Sequence, residues 1–322
     1  MKRWYPCELH CHTLHSDGAF TVKELMETAQ NRLLEGICLT DHNTISGWEE
    51  TDEYNNVTVL KGIEYTTYHG HMLSLGIKKP EIWYTISNID STIEKIKDEG
   101  GIVGIAHPFQ LGTPICTGGH WDYKIAKWEN VSYMEIFSEG SPFMNTANKK
   151  ARRLWHSLLS RGYKITPTMG RDWHNARGDI FPSACTYLLI DGEITDEKMK
   201  QAIKKGRTVV SAGPLFTFVT DEGSTIGDEI PDGECSFNFS IDFSRHNKME
   251  PERKITPEKI VITSKKGERE YPVADKIRIT LENDSWYSAE LWGSIDEKQN
   301  MLLAVTAPIY TTKKGGMIKS KW

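Results

Sequence analysis

Three features of this 322-residue sequence predict an α/β fold, a distorted barrel followed by a small all-β sandwich. Over residues 1–212, short apolar runs alternate with helix-length amphipathic stretches, the pattern of strand–helix–strand units around a parallel sheet. About seven such units fit this stretch, which favours a closed or nearly closed barrel over an open sheet. Over residues 213–322 the helical period gives way to short alternating runs split by Gly, Asp, Asn and Pro, as in an antiparallel sandwich. The third feature is placement: ten of the eleven histidines lie at or before His174. Imidazole chemistry therefore belongs to the first part.

The elements follow in order. The apolar run Trp4–Cys7 leads as a strand into Glu8-Leu9-His10-Cys11-His12. Alternation along a strand puts His10 and His12 on one face and Cys11 on the other. Residues 21–35 space Val22, Leu25, Met26, Ala29 and Leu33 as a helix, with Thr21 as N-cap and Gly36 as its stop. Strands are expected at 37–40, ending at Asp41-His42; at 57–65, ending at Glu64; and at 71–77, beginning with His71. A helix over 88–99 precedes a strand at 102–106 that ends at His107. A strand at 133–137, a helix over about 142–162 and a strand at 164–169 then lead to Arg171-Asp172-Trp173-His174. A strand at 185–190, a helix at 195–206 and a strand at 207–211 complete the first part. Six short strand runs follow between Leu215 and Thr306, and a Lys/Gly-rich tail begins at Lys313.

Composition narrows the function classes. With 38% hydrophobic and 26% charged residues the chain reads as an ordinary soluble protein. A net charge of −5 offers no overall attraction for nucleic acid or an anionic membrane. No apolar run approaches the ~20 residues of a membrane span. The start, Met1-Lys2-Arg3-Trp4-Tyr5-Pro6, lacks the apolar region of a signal peptide. The six cysteines show no CxxC spacing, so neither a disulfide framework nor a zinc finger is expected, and the expected location is cytoplasmic.

The polar residues gathered at strand ends are His10, His12, Asp17, His42, Glu64, His71, His107, Asp172 and His174. One histidine at a strand end is more often structural; the case rests on joint occurrence at successive strand ends. Six imidazoles and three carboxylates without a thiolate suit manganese, zinc or iron. Nine ligands exceed one ion's needs and suit three if Glu64 bridges two of them. His15, His69, His120, His156 and His246 are left outside this set, with His15 and His69 near enough in sequence to stand behind the ligands or to meet the substrate.

In order, His10-x-His12-x4-Asp17-Gly18, Thr40-Asp41-His42, Gly62-x-Glu64 with His71, Ala106-His107-Pro108 and Asp172-x-His174 resemble the motifs of the PHP (polymerase and histidinol phosphatase) superfamily. The resemblance covers residues 5 to about 212 and implies a distorted seven-stranded β/α barrel. It also implies two to three divalent ions (Mn, Zn or Fe) and hydrolysis of phosphate esters. Carried over motif by motif, one ion would take His10, His12, Glu64 and Asp172; a second Glu64, His71 and His107; a third Asp17, His42 and His174. Asp41 would orient an imidazole from behind. Gly206–Leu215, Ile226-Gly227-Asp228 and Val305–Tyr310 look like CehA/McbA-type members, which append a β-sandwich and include an ester or carbamate hydrolase.

The expected function is a metal-dependent phosphoesterase acting on a small phosphorylated metabolite, nucleotide or short oligonucleotide. Residues 1–212 form its hydrolase domain and 213–322 an accessory sandwich, and Glu64, Asp172 and Arg171 are its catalytic residues. Arg171 stands where the family usually has a small residue. Facing the site it would pair with an anionic substrate; facing away it would be a surface charge. Arg177, Lys149 and Arg152 are further phosphate candidates, and Trp48, Trp121 and Trp173 could stack on a leaving group or serve as core. The rival readings are a carboxyl- or carbamoyl-ester hydrolase on the same site and a non-catalytic metal-binding regulatory module. A full ligand set stands against the latter.

Overall fold

The computed structural model describes residues 1–80, 88–111, 119–138, 145–176 and 181–313. Arg177, Cys116 and the tail beyond Lys313 lie outside these residues. Seven strands curl around a shared core: β1 (Lys2–Cys11), β2 (Gly36–Leu39), β3 (Thr58–Thr67), β4 (Gly70–Leu75), β5 (Ile102–Ile105), β6 (Tyr133–Ser138) and β7 (Thr166–Gly170). They pair in chain order from β1 to β7. Just past β7 the chain meets β1 again, where Cys11 bridges Trp173 in parallel. There the His12 N–H donates to Trp173 O at 3.0 Å and the Trp173 N–H to His10 O at 2.9 Å. The result is a distorted barrel whose seam is stitched beside His10, His12, Asp172 and His174.

β4 departs from the all-parallel expectation. Tyr68 and His69 alone separate β3 from β4, whereas a parallel crossover needs a dozen residues or more. The chain therefore turns back, and β4 runs antiparallel to both β3 and β5. The reversal places the start of β4 at the barrel end where the other strands finish, with His71 opposite Thr66.

Four helices pack apolar faces on this sheet: α1 (Val22–Asn31), α2 (Ile89–Asp98), α3 (Thr146–Ser160) and α4 (Asp196–Lys204). α1 starts with a reciprocal cap: the Glu24 N–H donates to Thr21 Oγ1 at 3.1 Å and the Thr21 N–H to Glu24 Oε2 at 2.8 Å. It ends before the expected Gly36. The chain leaves the helix at Arg32, Leu33 adopts a left-handed φ of 54°, and Gly36 opens β2.

After β7 the sheet continues. β8 (Cys185–Asp191) pairs antiparallel with Lys2–Cys7, and β9 (Thr208–Ser211) lies against β8. The later strands are β10 (Leu215–Thr220), β11 (Glu229–Pro231), β12 (Gly233–Asp242), β13 (Ile255–Ser264), β14 (Gly267–Pro272), β15 (Lys276–Leu281), β16 (Trp286–Ile295), β17 (Lys298–Thr306) and β18 (Ile309–Thr312). β17 pairs with β9, so the ladder runs unbroken from the barrel into the C-terminal part. β10, β12 and β15 form a separate three-stranded sheet. Its inner face stacks Phe216 on Phe239 and Phe218 on Phe237, at centroid distances of 5.4 and 4.4 Å. A short helix, α5 (Ser244–Met249), links β12 to β13; six residues are too few to show a helical period in sequence. No helix among the described residues is long and apolar enough to cross a membrane, and the five described cysteines are free.

Candidate metal centre

The nine strand-end residues converge at one end of the barrel. β1 shifts register against β2 between Glu8 and Cys11, the kind of irregularity that re-aims side chains at the rim of a barrel. His10 Nε2 lies 3.1 Å from Glu64 Oε2 and 3.3 Å from Asp172 Oδ1; His12 Nε2 lies 3.3 and 3.0 Å from the same atoms. The other Glu64 oxygen, Oε1, meets His71 Nδ1 at 3.0 Å and His107 Nε2 at 3.1 Å. Asp17 Oδ1 sits 3.0 Å from His174 Nε2 and 3.4 Å from His42 Nε2. Three groups of ligand atoms therefore cluster: His10, His12, Glu64 and Asp172; His12, Asp17, His42 and His174; and His42, Glu64 and His71. The second and third differ from the expected sets. His12 joins Asp17's group, and His42 stands beside Glu64 and His71, with its Nδ1 2.9 Å from Glu64 Oε2.

This donor set fits divalent cations. His10 Nε2, His12 Nε2, Glu64 Oε2 and Asp172 Oδ1 are buried without a hydrogen-bond partner, although each nitrogen lies only 3.0–3.3 Å from both oxygens. Groups so placed aim at a common point rather than at each other. A buried polar atom left this way costs free energy unless something satisfies it.

The electrostatics agree. Burial opposes the charge on Glu64, yet His10 and its neighbours hold the carboxyl well below the usual range. The same balance, with burial opposed by His10 and His12, depresses Asp172. Burial also opposes charge on the rings, but Asp17 and Glu64 push His42 up to about 10, and Glu64 with Asp172 pushes His107 up to about 9. Each carboxylate here is stabilised by positive charge, which a metal ion would supply more strongly than a proton.

Two residues of the centre also depart from the usual negative φ. Asp172 and His107 have φ of 53° and 24°, conformations that persist in non-glycine residues only where the surroundings impose them. Two glycines make room. A Cβ on Gly18 would lie 2.5 Å from the His12 carbonyl, and one on Gly170 would lie 2.1 Å from Glu135 Oε1 and 2.4 Å from His10 Cβ.

Glu135 is the main functional residue that sequence reasoning missed. It sits buried in β6; its Oε1 is 2.9 Å from His10 Nδ1, and its Oε2 accepts the His107 N–H at 2.9 Å. A carboxylate on Nδ1 selects the tautomer that leaves Nε2 free to face the centre. The available signal was a lone acid in the otherwise apolar strand Tyr133–Phe137. Thr66 was also missed; its Oγ1 touches His42 Nδ1.

Two expected roles are corrected. Asp41 orients no imidazole: it accepts from the Thr13 N–H, Thr13 Oγ1 and Ser16 Oγ at 2.7, 2.8 and 2.7 Å, and so braces the loop between His12 and Asp17. Arg171 is neither a catalytic contact nor a surface charge. It is 5% exposed, its Nε lies 3.0 Å from Glu8 Oε2, and its guanidinium donates to the carbonyls of Phe181, Pro182 and Ala184. Glu8 supplies a buried counter-charge, so the guanidinium turns into the protein and away from Asp172's ligand atoms.

The remaining candidates stand apart from the cluster. Arg152 pairs with buried Glu290, and Lys149 is exposed. Trp173 is buried edge-on against Phe20 at 5.3 Å, Trp48 donates to Gly62 O at 3.0 Å, and Trp121 donates to Tyr123 O at 3.0 Å. His15 bridges Ser46 and Glu50, His120 meets Asp122, and His69 lies against Tyr123. His156 packs between Trp155 and Trp286, and His246 meets Ser183 Oγ at 3.0 Å.

Comparison with known proteins matches residues 8–81 to the PHP domain. The uncharacterized protein MJ1587 of Methanocaldococcus jannaschii is 32% identical over 123 residues, which span 34% of this chain and 69% of that one. The phosphoribosyl 1,2-cyclic phosphate 1,2-diphosphodiesterase of Eggerthella lenta is 33% identical over 81 residues, 22% of this chain and 31% of that enzyme. Among solved structures, a two-domain Bacteroides vulgatus protein containing a predicted PHP-like metal-dependent phosphoesterase superposes with a TM-score of 0.53. It has 12% identity and the match covers 95% of each chain, a likeness of fold that includes the C-terminal part. From its ordered motifs, its barrel and these relatives, the chain belongs to the PHP-domain family.

Proposed function

We propose that this protein is a metal-dependent phosphoesterase, with residues 1–212 as its hydrolase domain and 213–322 as an accessory β-sandwich. The observation that carries the reading is Glu64, a fully buried carboxylate whose two oxygens face different imidazoles, His10 and His12 on one side and His71 and His107 on the other. A bridging carboxylate of this kind suits adjacent divalent ions. His10, His12, Glu64 and Asp172 would hold one; Glu64 and His71, with His107 and His42 beside Glu64, a second; and Asp17, His42 and His174, with His12 beside them, a third, with manganese, zinc or iron as the ions. Bound there, such ions lower the pKa of water and polarise a phosphoryl oxygen.

The chain's own residues supply positioning. Glu135 holds His10 in one tautomer, and Asp41 holds the loop that carries Asp17. Asp17 itself is largely exposed, and on this reading the open side of the centre lies at Asp17 and His174. A small phosphorylated metabolite, a nucleotide or the end of a short oligonucleotide would enter there. The diphosphodiesterase relative supports phosphate chemistry. The turning away of Arg171 supports the second reading, a carboxyl- or carbamoyl-ester hydrolase, because it withdraws a charge that would have selected an anion.

A panel with added Mn²⁺ separates the two readings: p-nitrophenyl phosphate, bis-p-nitrophenyl phosphate, nucleoside bisphosphates, short RNA, and phenyl and naphthyl esters and carbamates. Turnover of phosphorylated substrates is expected. Turnover confined to neutral esters would overturn the phosphoesterase reading.

A further inference from the structure

The centre is built from two arms far apart in sequence, His10 and His12 at the end of β1 and Asp172 and His174 after β7. Behind them lies a contact that no ligand role explains. The Glu8 carboxylate is fully buried. Its Oε1 accepts the N–H groups of Leu9, His10 and Arg171 at 3.0, 3.2 and 2.8 Å. Its Oε2 faces Arg171 Nε at 3.0 Å. One carboxylate therefore gathers backbone from both arms, at the residues immediately before Asp172 and at His10 itself.

The Arg171 guanidinium extends the link outward to the carbonyls of Phe181, Pro182 and Ala184. That loop is gripped from its other side by α5 and the residues after it. The Ser183 N–H donates to Glu250 Oε2 at 2.9 Å, Ser183 Oγ meets His246 Nδ1 at 3.0 Å, and Arg245 donates to Ser183 O. Arg245 also donates to Arg32 O at 2.7 Å, which ties the clasp to the end of α1.

We propose that Glu8 and Arg171 are positioning residues whose buried pair locks the two ligand arms in register, with α5 of the C-terminal part anchoring its outer end. The inference rests on the metal-centre reading above. Asp172 holds a left-handed φ, and the pair fixes the backbone one residue away. Lysine would keep the charge beside Glu8 but lacks the planar fork that reaches several carbonyls at once. Neutralising both partners together avoids leaving one charge buried alone.

The test compares wild type, Glu8→Gln/Arg171→Met and Arg171→Lys. For each, metal content is measured after loading with Mn²⁺ or Zn²⁺, and metal affinity by chelator competition. KM and kcat on the best phosphate substrate, and the unfolding midpoint of chelated protein, complete the set. The expected result is metal affinity weakened by about tenfold or more and a lower kcat. KM should stay within about twofold and the chelated midpoint close to wild type. Arg171→Lys should fall between wild type and the double variant; if the double variant does not fold, Arg171→Lys alone carries the test. Unchanged metal affinity with a raised KM would make Arg171 a substrate contact and overturn the proposal. Unchanged affinity with a lowered chelated midpoint would make the pair merely structural and overturn it equally. Wild type that binds no metal would instead overturn the metal-centre reading itself.

Discussion

In the sheet of β10, β12 and β15, Phe216, Phe218, Phe237 and Phe239 are buried and stack on one another. At the far end of β1, His10, His12, Glu64 and Asp172 crowd into a similarly enclosed space, and five of their polar atoms find no hydrogen-bond partner. The first cluster is complete as it stands, because apolar surface removed from water is stabilising by itself, at about 25 cal/mol per Å². The second is of another kind: buried charge and unpaired lone pairs are costly unless a partner satisfies them, and a divalent cation would do so. The aromatic cluster therefore reports on stability and the imidazole–carboxylate cluster on ligand.

Substitutions sharpen that contrast. The largest effect is expected from Glu64→Gln, which keeps shape while removing the charge shared between both imidazole sets. Hydrolysis should fall by about three orders of magnitude, the loss of several kcal/mol of charge stabilisation. The unfolding midpoint of chelated protein should not fall, and steady-state kinetics beside a thermal melt would check both. Phe237→Ala should do the reverse. A cost of about 3–5 kcal/mol in unfolding free energy is expected from the lost ring and the cavity left behind, while metal bound per folded chain stays at the wild-type value. If Phe237→Ala emptied the metal centre in protein that is still folded, the separation of the two regions would be wrong.

Glu135→Gln is intermediate. Glutamine can still accept a hydrogen bond from His10 Nδ1 but presents no charge to it, so metal affinity should weaken by about 10- to 100-fold. Chelator competition would measure this, and wild-type affinity would remove Glu135 from the assembly.

The smallest effect concerns His156, whose burial, reinforced by the nearby Arg152, pushes its pKa down to about 3. The folded state thus binds this proton less readily than the unfolded chain, whose imidazole titrates near ~6.5. The stability associated with the neutral ring is present above that value and is lost as pH falls toward 3. His156→Gln should flatten that part of the stability–pH profile relative to wild type and leave turnover unchanged. An identical acid limb in both proteins would contradict the assignment.

How much of this was legible in the sequence depends on where each signal lay. The nine centre residues could be read because most sit at or just beyond a strand end, with recognisable spacing such as His10-x-His12 or Asp172-x-His174. Their convergence then follows from barrel geometry. The direction of β4 was legible only through the brevity of the Tyr68–His69 turn, which the strand–helix alternation masked. Glu135 carries no spacing signal, because its partners His10 and His107 belong to other strands. The fate of Arg171 was hidden for the same reason: its counter-charge, Glu8, lies 163 residues away in the chain. Motif residues are local in sequence, whereas the groups that orient them are brought together by the fold.

The central claim is that the crowded polar end of the barrel is a multinuclear metal centre, and elemental analysis of the purified chain tests it most directly. Protein grown with manganese, zinc and iron and purified without chelator should carry about two to three of these ions per chain, and Glu64→Gln should carry fewer. One ion or none in the wild-type protein would contradict the account.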